Sequence, residues 1–217
     1  MTTLLIATRN THKVGEIRAI LGEQFSYLTL NDFPDAPAVI EDADTFAGNA
    51  TKKATELAQW LTSGISTFNF QLSTLDFVLA DDSGLEVDAL GGAPGVHSAR
   101  FAAMDSGTEG NSKDADNNAK LLRLLKNVPS EKLTARFRCV LALVELNSKL
   151  NTHHSTLFPG TCEGRIHLTP HGTNGFGYDP LFIPDGFTQS FAELGDAVKN
   201  RISHRAQALS QLRAHLV

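Results

Sequence analysis

Apolar positions along this chain recur in two rhythms. Thr2 to Ala7 and Phe77-Val78-Leu79-Ala80 are nearly continuous apolar runs, as buried strands require. Thr134 to Cys139 alternates and then becomes Val140-Leu141-Ala142-Leu143-Val144, a long strand that starts half-exposed and enters the core. Thr156 to Leu168 reads as one or two strands, broken near Pro159-Gly160 and Gly164, and Leu181-Phe182-Ile183 as another. Helical spacing appears at Val14, Ile17, Ile20 and Leu21, with Gly22 as a stop. It returns over Phe46 to Leu61, opened by Thr45, with Phe46, Ala50, Ala54, Leu57, Ala58 and Leu61 apolar. A third helix spans Ser112 to Asn127, with Asp114 and Asp116 in its first turn and Leu121, Leu122, Leu124 and Leu125 expected to be buried. Ser203 is a good N-cap for a closing helix with Ala208, Leu209, Leu212 and Leu216 on its apolar stripe. Residues 31 to 44 read as irregular, Gly64 to Asp76 as a loop or hairpin extension, Gly107 to Asn111 as a connector, and Asn147 to Ser155 as a polar turn carrying His153-His154.

The most unusual stretch is Ala80 to Ala102. Asp81 and Asp82 stand at the predicted strand's end, before a Ser83-Gly84 turn. Adjacent strand residues point to opposite faces, so the two carboxylates should not act as one pair. One faces a cleft and the other is held by hydrogen bonds. Carboxylates so placed can hold Mg²⁺, a hard cation, although Asp-Asp-Ser-Gly alone reads more readily as a polar turn closing a strand. Leu85 to Leu90 then alternates like a half-exposed strand, and Gly91-Gly92, Pro94 and Gly95 crowd four conformationally special residues into five positions. A structural hairpin does not need that much control.

Composition narrows the classes. The 217 residues suggest one domain, 1–217, of one or two lobes, and 41% hydrophobic content suffices for a real core. A net charge of −5 argues against a nucleic-acid binder with a basic surface, so a polyanionic ligand would have to be met locally. Cys139 and Cys162 have no metal or redox spacing, which fits a reduced, cytoplasmic setting. No apolar run approaches the ~20 residues of a membrane span, and the N-terminus does not read as a signal peptide.

Four further places can carry chemistry. Thr8-Arg9-Asn10-Thr11-His12-Lys13 links the first strand to the first helix, where free N–H groups and the helix dipole favour an anion and Lys13 adds a full charge. An ordinary turn with a surface lysine would look the same. Glu41, just before the second helix, is a candidate second metal ligand or a solvated acid in an acidic loop. Gly172 to Pro180 places Phe176 and Tyr178 among three glycines, which lets backbone approach a ligand and offers a stacking face to a base. His204 and Arg205 fall in the first turn of the closing helix, against the dipole's preference, so an oxygen-rich ligand would explain them.

Taken together these blocks resemble the inosine/xanthosine triphosphate pyrophosphatase family. The blocks are Ala7 to Lys13 with Glu16, Thr45 to Ala50 with Lys53-Ala54, Asp81 to Asp88 through Pro94-Gly95 and Ser98-Ala99-Arg100, Phe176 to Pro180, and Ile202 to Arg205 with Ala208-Leu209. The resemblance implies an α/β fold: an elongated mixed β-sheet flanked by helices, two lobes with the active cleft between them, and a homodimer. It implies that Thr8, Asn10 and Lys13 hold a triphosphate. Asp82 would be the base and a Mg²⁺ ligand, with Ser83 at the substrate. Phe176, Gly177, Tyr178, Asp179, Lys199, His204 and Arg205 would surround the nucleoside. The chain departs from the family at Ile40-Glu41, where an acidic pair is common, at Gly48, where glutamate is common, and in a longer Gly64–Asp76 region.

The implied reaction is attack of water on the α-phosphorus of ITP, dITP or XTP, with pyrophosphate leaving. Mg²⁺ on Asp82 and Glu41, with Lys13 and Lys53, would neutralise the phosphates. Donors from His204, Arg205 or the backbone would select a 6-oxo group over adenine's amino group, and guanine would be rejected at the 2-position. A small-molecule nucleotide is the expected partner, with neither nucleic acid nor membrane. The alternatives are a related pyrophosphatase for other modified nucleotides and a non-catalytic nucleotide-binding regulator.

Overall fold

The computed structural model describes residues 1–63, 75–107, 110–146 and 154–216. The expectations for the Gly64–Asp76 extension and for the turn carrying His153 therefore fall largely outside the described residues. Among those described, the chain forms β1 (Thr2–Ile6), α1 (Thr11–Leu21), β2 (Phe25–Thr29), α2 (Phe46–Thr62), β3 (Phe77–Val87), a short α3 (Ala103–Ser106) and α4 (Asp114–Leu125). It continues with β4 (Thr134–Glu145), β5 (Ser155–Ile166), β6 (Phe182–Pro184), α5 (Phe191–Ile202) and α6 (His204–Leu216). The strands form one mixed sheet in the order β2-β1-β3-β4-β5-β6. β1 runs parallel to both β2 and β3, and β5 antiparallel to β6. This is the expected α/β class, a mixed sheet with flanking helices.

Two compact units divide the chain. The first holds Met1–Asp82, Val140–Pro159 and Ala208–Val217, and the second Ser83–Cys139 and Gly160–Gln207. Within the first, the apolar stripes act as expected. α1 starts because the Asn10 side chain accepts the backbone N–H groups of His12 and Lys13, and it stops at Gly22, whose φ of 78° suits glycine. α2 is capped by Thr45 and buries Phe46, Asn49, Ala50, Lys53, Ala54, Leu57, Ala58 and Leu61, a single face at helical spacing. Leu4, Leu5, Ile6, Val78, Leu79 and Ala80 are also buried. The second unit has its own core, in which Leu85, Val87, Leu121, Leu125, Phe137, Tyr178, Phe182 and Phe191 take part. Cys139 and Cys162 are buried and unbridged.

Several expectations are corrected. β3 does not end at a Ser83-Gly84 turn. It runs on to Val87 and is followed by a 3-10 turn, Asp88–Leu90, rather than by more strand. The turn-forming residues are overridden because Asp81 and Asp82 find buried partners and need no water. β5 is a single strand through Pro159, Gly160 and Gly164. Gly164 is there because a Cβ would collide with the Ile183 carbonyl oxygen of the neighbouring strand. Leu124, expected in the core, is 44% exposed. β2 and α5 were not expected at all. α5 is opened by a reciprocal capping box between Ser190 and Glu193, and is interrupted at Gly195, φ 73°.

Candidate active site

The first unit gathers charge around the middle of β3. Ala7 N–H donates to the Leu79 carbonyl, which fixes the exit of β1 beside β3. The chain then turns through Thr8, whose Oγ1 accepts from Asn10 N–H at 3.1 Å, and enters α1. From the first turn of α1, Lys13 Nζ reaches Asp81 Oδ1 at 2.5 Å. From α2, Asn49 and Lys53 lie four residues apart and so share a face. Asn49 Nδ2 donates to Asp82 Oδ2 at 3.1 Å, and Lys53 Nζ donates to the Asp81 carbonyl at 2.7 Å. Lys53 Nζ also lies 3.1 Å from Glu41 Oε2 and 3.6 Å from Asp82 Oδ1. Asn49 fixes the loop before α2 as well, because its Oδ1 accepts from Ala43 N–H at 2.9 Å. Asp81 and Asp82 thus point to different partners, as strand alternation requires, and both are at least 95% buried.

Burial dominates the electrostatics here. Desolvation pushes the Asp82 carboxyl up to about 6, with Glu41 adding to the rise. The ammonium groups of Lys53 and Lys13 and the Asn49 hydrogen bond oppose it without cancelling it. An ordinary carboxylate would be a poorer base by about two powers of ten.

The second unit holds an aromatic and cationic group. Arg205 Nη2 donates to Ser83 Oγ at 2.8 Å, and the guanidinium carbon lies 6.0 Å from the centre of the Phe176 ring. Lys199 Nζ is 4.5 Å from the same ring centre and 2.5 Å from Asp179 Oδ2. That same oxygen accepts from Phe176 N–H at 2.9 Å, so one buried carboxylate ties the loop to α5. A Cβ on Gly175 would collide with Asp179 Oδ2, and Gly175 has a φ of 75°, so this position requires glycine. His204 stacks on Phe137 at 4.8 Å with 12° between the planes. The Tyr178 hydroxyl donates to the Ser98 carbonyl at 2.9 Å, while Ser98 Oγ accepts from Leu85 N–H. Burial, and then the charge of Asp114, push the Tyr178 phenol above its ordinary range.

Comparison with known proteins then decides the family. The model of the Ham1 family matches residues 4–215. This chain belongs to the Ham1 family. It is 46% identical over 217 residues to a dITP/XTP pyrophosphatase of Geobacter sulfurreducens, covering 100% of this chain and 97% of that one. It is 42% identical over 214 residues to a dITP/XTP pyrophosphatase of Shouchella clausii, covering 98% and 96%. A Ham1 protein from Coxiella burnetii has the same fold, with a TM-score of 0.79 at 34% identity over 100% of this chain and 98% of that one.

In this Ham1 chain the sequence-predicted residues fall into two sets. Thr8, Asn10, Lys13, Glu41, Lys53 and Asp82 belong to the first unit, and Ser83, Phe176, Gly177, Tyr178, Asp179, Lys199, His204 and Arg205 to the second. Two of them are engaged differently from expectation. Asn10 Oδ1 is occupied as the cap of α1, and the Tyr178 hydroxyl is spent on Ser98. Asn49 was missed, although a polar residue on the apolar face of α2, four before Lys53, was a visible signal. Glu41 and Asp82 converge on the Lys53 ammonium, so two hard oxygen donors lie within reach of one cation. Among the described residues no three His, Cys, Asp or Glu side chains cluster as a self-sufficient metal cage. Two carboxylates fit Mg²⁺ of the kind completed by water and substrate phosphates. No described helix is long and apolar enough to cross a membrane.

Proposed function

We propose that this chain hydrolyses the nonstandard purine nucleotides dITP, XTP and ITP to the monophosphate and pyrophosphate, keeping them out of DNA and RNA. It is a hydrolase, a nucleoside triphosphate pyrophosphatase. Relatives matching 98–100% of the chain at 42–46% identity bear the name dITP/XTP pyrophosphatase, which supports the substrate class. The observation that carries the chemistry is Asp82, a buried carboxylate raised to about 6 beside two lysines and Glu41. At neutral pH this carboxyl is still ionised, and a bound Mg²⁺ would lower its affinity for a proton again, so the metal would supply part of the activation of water.

In this reading Asp82 takes a proton from the water that attacks the α-phosphorus. Lys13 and Lys53 exchange their carboxylate partners for phosphate oxygens, which have more charge to offer. The dipole at the start of α1 favours the same anion, while the N–H groups of His12 and Lys13 stay with the Asn10 cap. Asp82 and Glu41 would hold Mg²⁺, which when bound neutralises phosphate charge and acidifies water. The purine stacks on Phe176, with Ser83 alongside, while Lys199, His204 and Arg205 offer donors to a 6-oxo group. Adenine would leave such a donor facing a donor, a mismatch that discriminates strongly. A homodimer and a cytoplasmic setting belong to the same proposal, the latter supported by two buried, unbridged cysteines.

The test is a substrate panel with Mg²⁺ and product identification. ITP, dITP and XTP should release pyrophosphate much faster than ATP or GTP. Release of orthophosphate, or equal turnover of ATP, would overturn the assignment. Preferential turnover of modified pyrimidine nucleotides would point instead to a related pyrophosphatase.

A further inference from the structure

The loop Phe176–Asp179 is gripped by a helix that has so far had no part in the chemistry. Gly177 sits at φ 62°, and both of its backbone polar groups are taken by α4. Its N–H donates to Asp114 Oδ2 at 2.6 Å, and its carbonyl accepts from Asn118 Nδ2 at 3.0 Å. Asp114 and Asn118 are four residues apart, so one face of the helix's first turns makes both bonds. Glycine at positive φ is the most mobile link such a loop can have. Holding its donor and its acceptor together removes that freedom at the residue next to Phe176. The rest of the loop is tied elsewhere, Asp179 to Lys199 and Tyr178 to Ser98. Phe176 N–H is held by Asp179 Oδ2 on one side, so the grip on Gly177 fixes the other side of Phe176 and completes the hold on its ring.

We propose that Asp114 and Asn118 are positioning residues for base recognition, acting through Gly177 to hold the Phe176 ring where the purine stacks. This rests on the reading of that loop as the base-binding group. Neither residue touches the reacting atoms, so their loss should weaken binding and spare the chemical step.

The experiment is steady-state kinetics on dITP with Mg²⁺ for the full chain and four variants. Asp114→Ala and Asn118→Ala should each raise KM about tenfold, the scale of one charge-assisted or buried hydrogen bond, with kcat within about twofold. Asp114→Asn keeps an acceptor oxygen and should restore KM to within about threefold of wild type. Asn118→Asp loses the donor and should behave like Asn118→Ala or worse. Amide hydrogen exchange at Gly177 should quicken in Asp114→Ala. Unchanged KM in both alanine variants would overturn the proposal. So would a fall in kcat without a rise in KM, or an Asp114→Asn variant as impaired as Asp114→Ala. If the wild type turns over none of the panel, the hydrolase reading falls and this role falls with it. If the wild type is active and only the KM effect is absent, the positioning role alone is lost.

Discussion

The group around Asp82 and the group around Phe176 are both built of buried charge, and they are unbalanced in opposite senses. Around Asp82, the carboxylates of Glu41, Asp81 and Asp82 outnumber the ammonium groups of Lys13 and Lys53. Around Phe176, the buried cations Lys199 and Arg205 outnumber the buried carboxylate of Asp179, and Asp114 stays exposed at the edge of the loop. Burial acts on the group in excess. In the first case it raises Asp82 toward proton uptake and leaves the cluster receptive to a further cation. In the second it lays positive charge against the face of an aromatic ring, where a base with exposed carbonyl oxygens would be welcome. One group is suited to phosphate chemistry assisted by a cation, and the other to reading a planar heterocycle.

The sharpest way to break this division is Asp82→Asn. The amide keeps the shape and can still meet Asn49, but it cannot take a proton. Turnover of dITP should fall at least about a thousandfold, or ~4 kcal/mol in the barrier, with KM changed far less. Undiminished turnover would remove Asp82 from the mechanism and with it the distinction between the two groups.

Lys199→Met probes the other group through stability. The Lys199 and Asp179 side chains are 3% and 1% exposed, so removing the cation strands a buried carboxylate. The expected cost is about 3 kcal/mol in urea unfolding. The double variant Lys199→Met with Asp179→Asn should recover much of that loss, since no unpaired charge remains and an oxygen is still there for the Phe176 N–H. A single variant as stable as wild type would mean that the pair is weaker than its burial implies.

The two groups also differ in how far the sequence revealed them. The cap at Asn10 and the start of α2 at Thr45 were readable because every partner lies within a turn of helix. β3 was misread at Asp81 because its partners are remote: Lys13 is 68 positions away, and Asn49 is 33 from Asp82. Turn propensity is a local quantity, and here a distant lysine and asparagine outweigh it. α5 carried a readable signal, Ser190 and Glu193 at capping-box spacing, but Gly195 breaks its apolar rhythm two residues later. Asp114 and Asn118 were invisible for another reason. On a helix, polar residues four apart look like any solvated face, and only the fold shows that Gly177 lies across them.

The suppressed ionisation of Asp82 has a consequence for stability that the metal-free chain should show. A carboxyl raised in the folded state favours folding when protonated. That contribution is full below the ordinary value near 4 and is lost as pH rises through about 6. With chelator present, the advantage of Asp82→Asn over wild type in urea unfolding should therefore be larger at pH 7.5 than at pH 5, by about 1–2 kcal/mol. No change between the two pH values would mean that Asp82 ionises in the fold as it does in the unfolded chain.

The smallest effect sharpens the second group from inside. Family resemblance places Tyr178 among the nucleoside contacts, whereas its hydroxyl is 2.9 Å from the Ser98 carbonyl and its ring is buried with Phe137 and Phe182 in the second unit's core. Tyr178→Phe keeps the ring and removes one hydrogen bond, leaving the Ser98 oxygen without that donor. The cost should be about 1 kcal/mol of stability, the scale of a single buried bond. KM for dITP should move by less than about threefold, because the loop remains tied at Asp179 and Gly177. A tenfold rise in KM with no loss of stability would return the hydroxyl to the substrate. It would also mean that the loop is held less by Ser98 than by the ligand it binds.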